Sequence, residues 1–424
     1  MRTDSIPDKR IKTVEVVGLG YIGLPTAVMF SQYYDVVGVD IDVNRVDQIA
    51  GSDFCSNEPG LASLLERSKA GGRLTVTTRV EAADVFVIAV PTPLDGKKNA
   101  ILDFVYAAID SVCPLLKGGE LIVVESTCPP GTTQSVVERI VEKRPDLAAV
   151  ANREQGGAEL DIQVAYCPER ILPGNAIKEL RTNNRIVGGY TAEAAFRAKE
   201  LYSAICQGEI RVTNAITAEL SKLVENAYRD VNLAFANEVS IVSAELGVDV
   251  WELIGLVNQH PRVNVLNPGT GVGGHCIAVD PWFIARSTPN ARLMETARMV
   301  NDSKPHWVAE QIQKRLDDTN GRRVALFGLT FKADIDDFRE SPALVVLNEL
   351  TRDNPDLDFM IVEPYLGDFD LDGYSDFVNL RHVDYETALK GADLIAILVD
   401  HSAFKELDWA RTSAEILDFR GIRR

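Results

Sequence analysis

The sequence predicts an α/β protein with two doubly wound, parallel-sheet domains. A long central helix and a helical region join them. Three observations lead to this fold. Short β-branched runs alternate with helical stretches in the first half, as in "TVEVVGLG", "DVVGVDID", "DVFVIAVPTP" and "ELIVVESTCPPGTT". A segment without internal Gly or Pro, "TAELSKLVENAYRDVNLAFANEVSIVSAELG", then carries apolar residues at helical spacing and ends at Gly247, a C-cap residue. Alternation returns in "RRVALFGLTFK", "LDFMIVEP" and "ADLIAILVD". At 424 residues the chain is too long for one core. The boundaries we expect are 1–214 for the first domain, 215–315 for the helical region and 316–424 for the second domain.

Within the first domain, each run ends in turn residues where a parallel sheet presents ligands. "IQVAYCPERILPG" and "NRIVGGY" read as further strands of the same sheet. The central segment, about thirty residues, is long for a globular helix and suits a connecting or dimer-forming role. More helix is expected to about residue 315.

Composition excludes several classes. Net charge is −18, which argues against a broad nucleic-acid or anionic-membrane surface. The N-terminus "MRTDSIPDKR" has no apolar core of a signal peptide, and no run approaches about 18 apolar residues. No membrane insertion is expected. The six cysteines form no CxxC pair and no metal-like cluster with the five histidines, so they read as reduced thiols of a cytoplasmic protein without a metal site.

The first strand runs into Gly18-Leu19-Gly20-Tyr21-Ile22-Gly23 and then a helical stretch. Asp40 follows the second strand about twenty residues on. Glycines permit a tight turn and close backbone approach, the helix N-terminus faces a pyrophosphate, and Asp40 accepts from ribose hydroxyls while repelling a 2′-phosphate. This is a Rossmann-like site for NAD rather than NADP. Arg45 lies toward the adenine side.

Lys222 and Asn226 are one turn apart on the long helix and share a face. An ammonium beside an amide can stabilise an oxyanion, although the pair also suits a solvated face. Cys276 stands in "GVGGHCIAVDPW", flanked by glycines, with His275 before it and Asp280 after it. It is a nucleophile or a small core residue, and His275 is a base or a ligand-facing residue. Glu169 in "YCPERILPG" sits at a strand end, or is a surface carboxylate. With an NAD site, this set suggests oxidation through a thioester: a thiolate attacks an aldehyde, hydride leaves, and activated water releases an acid.

Ordered motifs over nearly the whole chain carry a resemblance: "GLGYIGLP", "VPTPLD", "ESTCPPGTT", "CPERILPG", "ELSKLVENAYRDVNLAFANE", "GVGGHCIAVDP" and "FGLTFKADIDDFRESPA". The chain resembles the UDP-glucose/UDP-mannuronate dehydrogenase family. The resemblance implies an NAD-binding domain, a helical dimerisation region and a UDP-binding domain. It also implies oxidation of a sugar 6-hydroxyl to a carboxylate with two NAD per turnover. It makes Cys276 the thioester nucleophile and Lys222 with Asn226 the oxyanion and substrate pair. Asp280 becomes the carboxylate that activates water and orients Lys222, and Glu169 a general acid/base. Thr127 is placed near the nicotinamide, and Thr92 and Tyr21 on the cofactor. Lys332 and Arg339 become nucleotide-sugar contacts, whose alternative is ion pairing with nearby acids. Backbone around Gly273 wraps the diphosphate. Arg262 is the arginine that reaches a partner subunit's site, so the resemblance implies a homodimer.

Departures narrow the substrate. The glucose enzymes carry Ser where His275 stands, and a second loop Glu where Pro173 stands. His275, Arg170 and the "HPRV" segment with His260 are similar to members acting on 2-acetamido sugars. The expected substrate is therefore a UDP-N-acetylhexosamine, UDP-N-acetyl-D-mannosamine first and UDP-N-acetylglucosamine as the alternative. A rival of another class is a non-catalytic nucleotide-sugar-binding protein.

Overall fold

The structure is a computed structural model that describes residues 11–52, 54–56, 58–148, 161–172, 174–367, 369, 371 and 379–423. The N-terminal stretch read for a leader and Pro173 lie outside these residues. The chain forms two compact units, Met1–Val224 and Glu225–Arg424, and the division falls inside the long helix Ala215–Leu246.

The first unit is built on an eight-stranded sheet. Its strands are β1 (Thr13–Val17), β2 (Asp35–Val39), β3 (Leu74–Thr77), β4 (Val85–Ile88), β5 (Leu121–Val124), β6 (Gln163–Tyr166), β7 (Arg185–Gly189) and β8 (Ile210–Asn214). Their order is β3-β2-β1-β4-β5-β6-β7-β8. All four residues of β4 and of β5 are buried, because helices cover both faces and polar alternation has no place there. Period two still sorts them: Val85, Val87, Leu121 and Val123 enter one core, and Phe86, Ile88, Ile122 and Val124 the other.

The sheet departs from the expected parallel arrangement at one junction. β6 and β7 pair antiparallel, Ala165 with Gly189 and Tyr166 with Gly188. Their link, residues 167–184, carries the seven-residue helix Ala176–Thr182.

The second unit has a five-stranded parallel sheet of β9 (Arg323–Phe327), β10 (Asp358–Val362), β11 (Leu380–His382), β12 (Leu394–Ile397) and β13 (Glu415–Asp418). The order is β11-β10-β9-β12-β13, again a doubly wound core. Ahead of it come the last part of the long helix and the helices Val250–Val257, Asp280–Ser287 and Arg292–Thr319. The long helix spans 32 residues and stops where Gly247 takes a left-handed φ of +68°. The Val248 N–H then closes the end on the Ser243 carbonyl at 2.8 Å. No helix among the described residues is long and apolar enough to cross a membrane.

Candidate active site

The cofactor end is built from the C-terminal edges of β1 and β2. Gly18 has a φ of +96°, and a Cβ there would stand 2.4 Å from the Ala89 carbonyl oxygen. At Gly23 a Cβ would stand 1.8 Å from the Gly18 carbonyl oxygen. Both glycines are demanded by backbone packing. Gly20 differs: open space lies where its Cβ would be, which leaves room for a pyrophosphate beside the turn. Ile22 precedes the helix Gly23–Phe30, whose free N–H groups lie at this turn.

Asp40 closes the same loop. One carboxylate oxygen accepts the Leu19 N–H at 2.8 Å and the other the Asp42 N–H at 3.0 Å. Arg45 donates to the Leu19 carbonyl at 3.1 Å and lies over the Phe54 ring. The Tyr21 hydroxyl donates to Glu58 at 3.0 Å. Thr92, beyond β4, donates its hydroxyl to the Thr127 carbonyl at 2.5 Å and so ties the two loops flanking this edge. Glycine packing, open space and a fixed acid fit a dinucleotide, with NAD as the form an unphosphorylated ribose needs.

Glu169 is not a surface carboxylate. It is buried, accepts the Arg170 N–H at 2.6 Å, and forms an ion pair with buried Arg185 at 2.8 Å. Arg185 also stands 4.0 Å from Glu125, which accepts the Tyr202 hydroxyl at 3.0 Å. One guanidinium thus serves two buried carboxylates. Burial, then the Glu169 charge, pushes the Glu125 carboxyl up to about 8. Neither Arg185 nor Glu125 was singled out from the sequence. Arg170 itself is half-buried.

Lys222 is buried on the long helix. In the second unit, Asn226 donates its side-chain amide to Asp280 at 2.5 Å. Asp280 is buried and is the first residue of the helix Asp280–Ser287. Its own N–H donates to the Cys276 carbonyl at 2.9 Å, so Cys276 begins the turn that enters this helix. The Cys276 side chain is exposed, unlike the buried Cys113, Cys128, Cys167 and Cys206.

The glycines before Cys276 serve a neighbouring loop. A Cβ on Gly273 would stand 2.3 Å from the Glu340 carbonyl oxygen, and one on Gly274 would stand 2.8 Å from the Phe331 ring. Gly274 also has a φ of +82°. The Cys276 turn therefore lies flush on residues 331–342, the segment carrying Lys332 and Arg339. Arg339 grips Asp337 through two bonds of 2.8 and 2.6 Å, the ion pairing that was the alternative to a ligand contact. Lys332 is exposed, and no ion pair to it is found among the described residues. Burial, then the Arg339 charge, lowers the His275 pKa and favours a neutral ring.

A pocket beside this segment is lined by Thr270, Gly271, Thr330, Lys332 and Arg420 among others. Arg420 follows β13, is held by Asp400 at 2.6 Å, and was missed in the sequence. Its only sequence signal is a basic residue just past a short apolar run. His260 and Arg262 are exposed in the turn after Val257, and the His260 ring accepts the Arg262 N–H at 3.3 Å.

Comparisons with known proteins match all three parts of the chain. Residues 12–206 match the NAD binding domain of the UDP-glucose/GDP-mannose dehydrogenase family, 216–303 its central domain and 325–422 its UDP binding domain. A UDP-N-acetyl-D-mannosamine dehydrogenase of Escherichia coli strain K12 is 45% identical over 425 residues, covering 97% of this chain and 99% of that protein. An NDP-N-acetyl-D-galactosaminuronic acid dehydrogenase of Ralstonia nicotianae is 45% identical over 422 residues, covering 99% of this chain and 98% of that protein. The solved structure of a UDP-D-ManNAc dehydrogenase from Pyrococcus horikoshii aligns with a TM-score of 0.83 at 36% identity, covering 97% of this chain and 96% of that one. With its NAD binding, central and UDP binding domains matched in order, the chain belongs to the UDP-glucose/GDP-mannose dehydrogenase family, enzymes that oxidise nucleotide sugars with NAD.

Proposed function

We propose that this enzyme oxidises UDP-N-acetyl-D-mannosamine to the uronate, a four-electron reaction on the sugar 6-carbon. The observation that carries the mechanism is the exposed Cys276 thiol on the turn entering Asp280, with Asp280 holding Asn226. The Gly18–Gly23 turn and Asp40 would hold NAD, which when bound would supply the hydride acceptor for each of the two oxidations.

Lys332, Arg339 and backbone around Gly273 hold the UDP part, and Arg339 exchanges Asp337 for a phosphate oxygen. His275, Arg170 and His260 face the acetamido sugar. Glu169, as general base, takes the proton of the 6-hydroxyl while Lys222 and Asn226 donate to that oxygen and hold its negative charge, and loss of the first hydride from the 6-carbon then leaves the aldehyde. The Cys276 thiolate then adds to the aldehyde carbon, giving a thiohemiacetal. Loss of the second hydride leaves a thioester. Water, losing its proton to Asp280 or Glu169, adds to the thioester carbon. The C–S bond breaks, the thiol is restored, and the acid leaves. Thr127, tied to Thr92, would border the nicotinamide.

We also infer a homodimer in the cytoplasm. Phe235, Val242 and Leu246 on the long helix, with Val248 and Leu253, leave an apolar groove that a second copy covers. Arg262, exposed in the single chain, then reaches the partner's site.

The test is NADH formed per sugar consumed, with the manno and gluco UDP-N-acetylhexosamines supplied separately. Two NADH from the manno epimer and little from the other supports the reading. Two from the gluco epimer alone moves the substrate and keeps the chemistry. A Cys276→Ser variant that still makes acid at the full rate removes the thioester.

A further inference from the structure

Glu219 lies three residues before Lys222 on the long helix, and its side chain is fully buried. Its carboxylate accepts the Gly131 N–H at 2.6 Å, the Thr133 N–H at 2.7 Å and the Thr133 hydroxyl at 2.6 Å. These donors stand at the start of the helix Thr132–Lys143. Its N-cap residue is Gly131, which has no side chain to offer. The missing cap is thus supplied from the long helix, 86 residues further along the chain. The turn entering this helix also contains Thr127, whose carbonyl receives the Thr92 hydroxyl. Burial raises the Glu219 pKa, and the three donors oppose that rise.

A cap of this kind could have been local, as Asp249 is for the helix Val250–Val257. A capping acid one turn from Lys222 does something a local cap cannot. It ties the first turns of the long helix, within the first unit, to the loop that carries Thr127 and Gly131. We propose that Glu219 is a positioning residue of the reaction, setting the register of Lys222 against the Thr92–Thr127 edge. The proposal rests on the role given to Lys222 above.

Three variants of the full-length enzyme test it: Glu219→Gln, Glu219→Asp and Lys222→Met. Gln keeps the size but turns an N–H2 toward backbone donors, and Asp keeps the charge but falls short by one methylene. Each is assayed with ordinary and 6-deuterated UDP-sugar, with rates normalised to folded enzyme. The expected result is a fall in kcat of about 10- to 100-fold in the Gln variant and less in the Asp variant. KM for the sugar nucleotide and for NAD stays within about twofold, and the deuterium isotope effect grows as hydride transfer becomes the slow step. An unchanged kcat and isotope effect with a lowered Tm overturns the proposal and leaves Glu219 as a structural cap. A rise in KM alone overturns it equally. If Gln prevents folding, the Asp variant decides by the same measures. Full turnover by Lys222→Met instead removes the role of Lys222, independently of either Glu219 result.

Discussion

Asn226 and Asp280 are 54 residues apart in sequence, and their side chains meet at 2.5 Å. The bond ties the long helix to the turn that presents Cys276. Asp280 can therefore act on two groups: it orients the Asn226 amide and carries a carboxylate beside the thiol's own turn. Asp280→Asn keeps the size and removes the charge. We expect kcat for acid formation to fall about 100-fold, with the first NADH released faster than the second. Stopped-flow traces of NADH against acid product check this. Equal loss of both steps argues against a role in water activation.

Arg185 and Glu169 form an ion pair in which both side chains are nearly fully buried. Replacing Arg185 by Met leaves a carboxylate without its guanidinium in a low-dielectric place. The cost should be about 3–5 kcal/mol. Urea unfolding of the two proteins gives the difference directly. A loss below about 1 kcal/mol would mean that water reaches Glu169 freely.

Glu125 makes stability depend on pH. Its ordinary value is 4.5, and in the fold it is pushed up to about 8. The native state keeps this proton where the unfolded chain has lost it. Its contribution is complete below the unfolded pKa and is lost as pH rises through the folded value. Glu125→Gln cannot ionise, yet it can still accept the Tyr202 hydroxyl. Between pH 5 and 8 the wild-type Tm should fall relative to that of the variant. Parallel Tm curves for the two proteins would refute the shifted proton.

Gly274 combines a φ of +82° with contact against Phe331. Gly274→Ala should cost about 2 kcal/mol from backbone strain and crowding. That corresponds to a Tm lower by about 4–8 °C for a domain of this size. Adding Phe331→Ala should return the crowding part and leave the backbone part. Cys276 alkylation rates should change in step, since the turn that carries the thiol must shift.

Much of this was legible in the chain itself. The runs that form β1, β2, β4, β5, β6, β7, β9, β10 and β12 were readable because helices cover both faces and make them continuously apolar. The strands β3, β8, β11 and β13 were not singled out, and every one lies at a sheet edge. Edge strands are half exposed, so "LTVT", "IRVTN", "LRH" and "EILD" carry no comparable run. The antiparallel turn-back at β7 was hidden for a different reason: a strand's side-chain pattern does not state its direction.

The site divides along the same line. Gly18, Gly23 and Asp40 could be found from spacing, because a turn and the strand beside it are local. So could the shared face of Lys222 and Asn226. The ion pairs and caps joining Glu169 to Arg185, Asn226 to Asp280 and Glu219 to Thr133 link residues 16, 54 and 86 positions apart. Buried charges need partners, but a sequence states only that they are present. Which partner each one finds is decided when the sheets and helices pack and the dielectric around the pair falls. The glycines beside Cys276 give the same lesson. Their residue type was plain in the chain, and only packing against Phe331 and Glu340 assigns their reason.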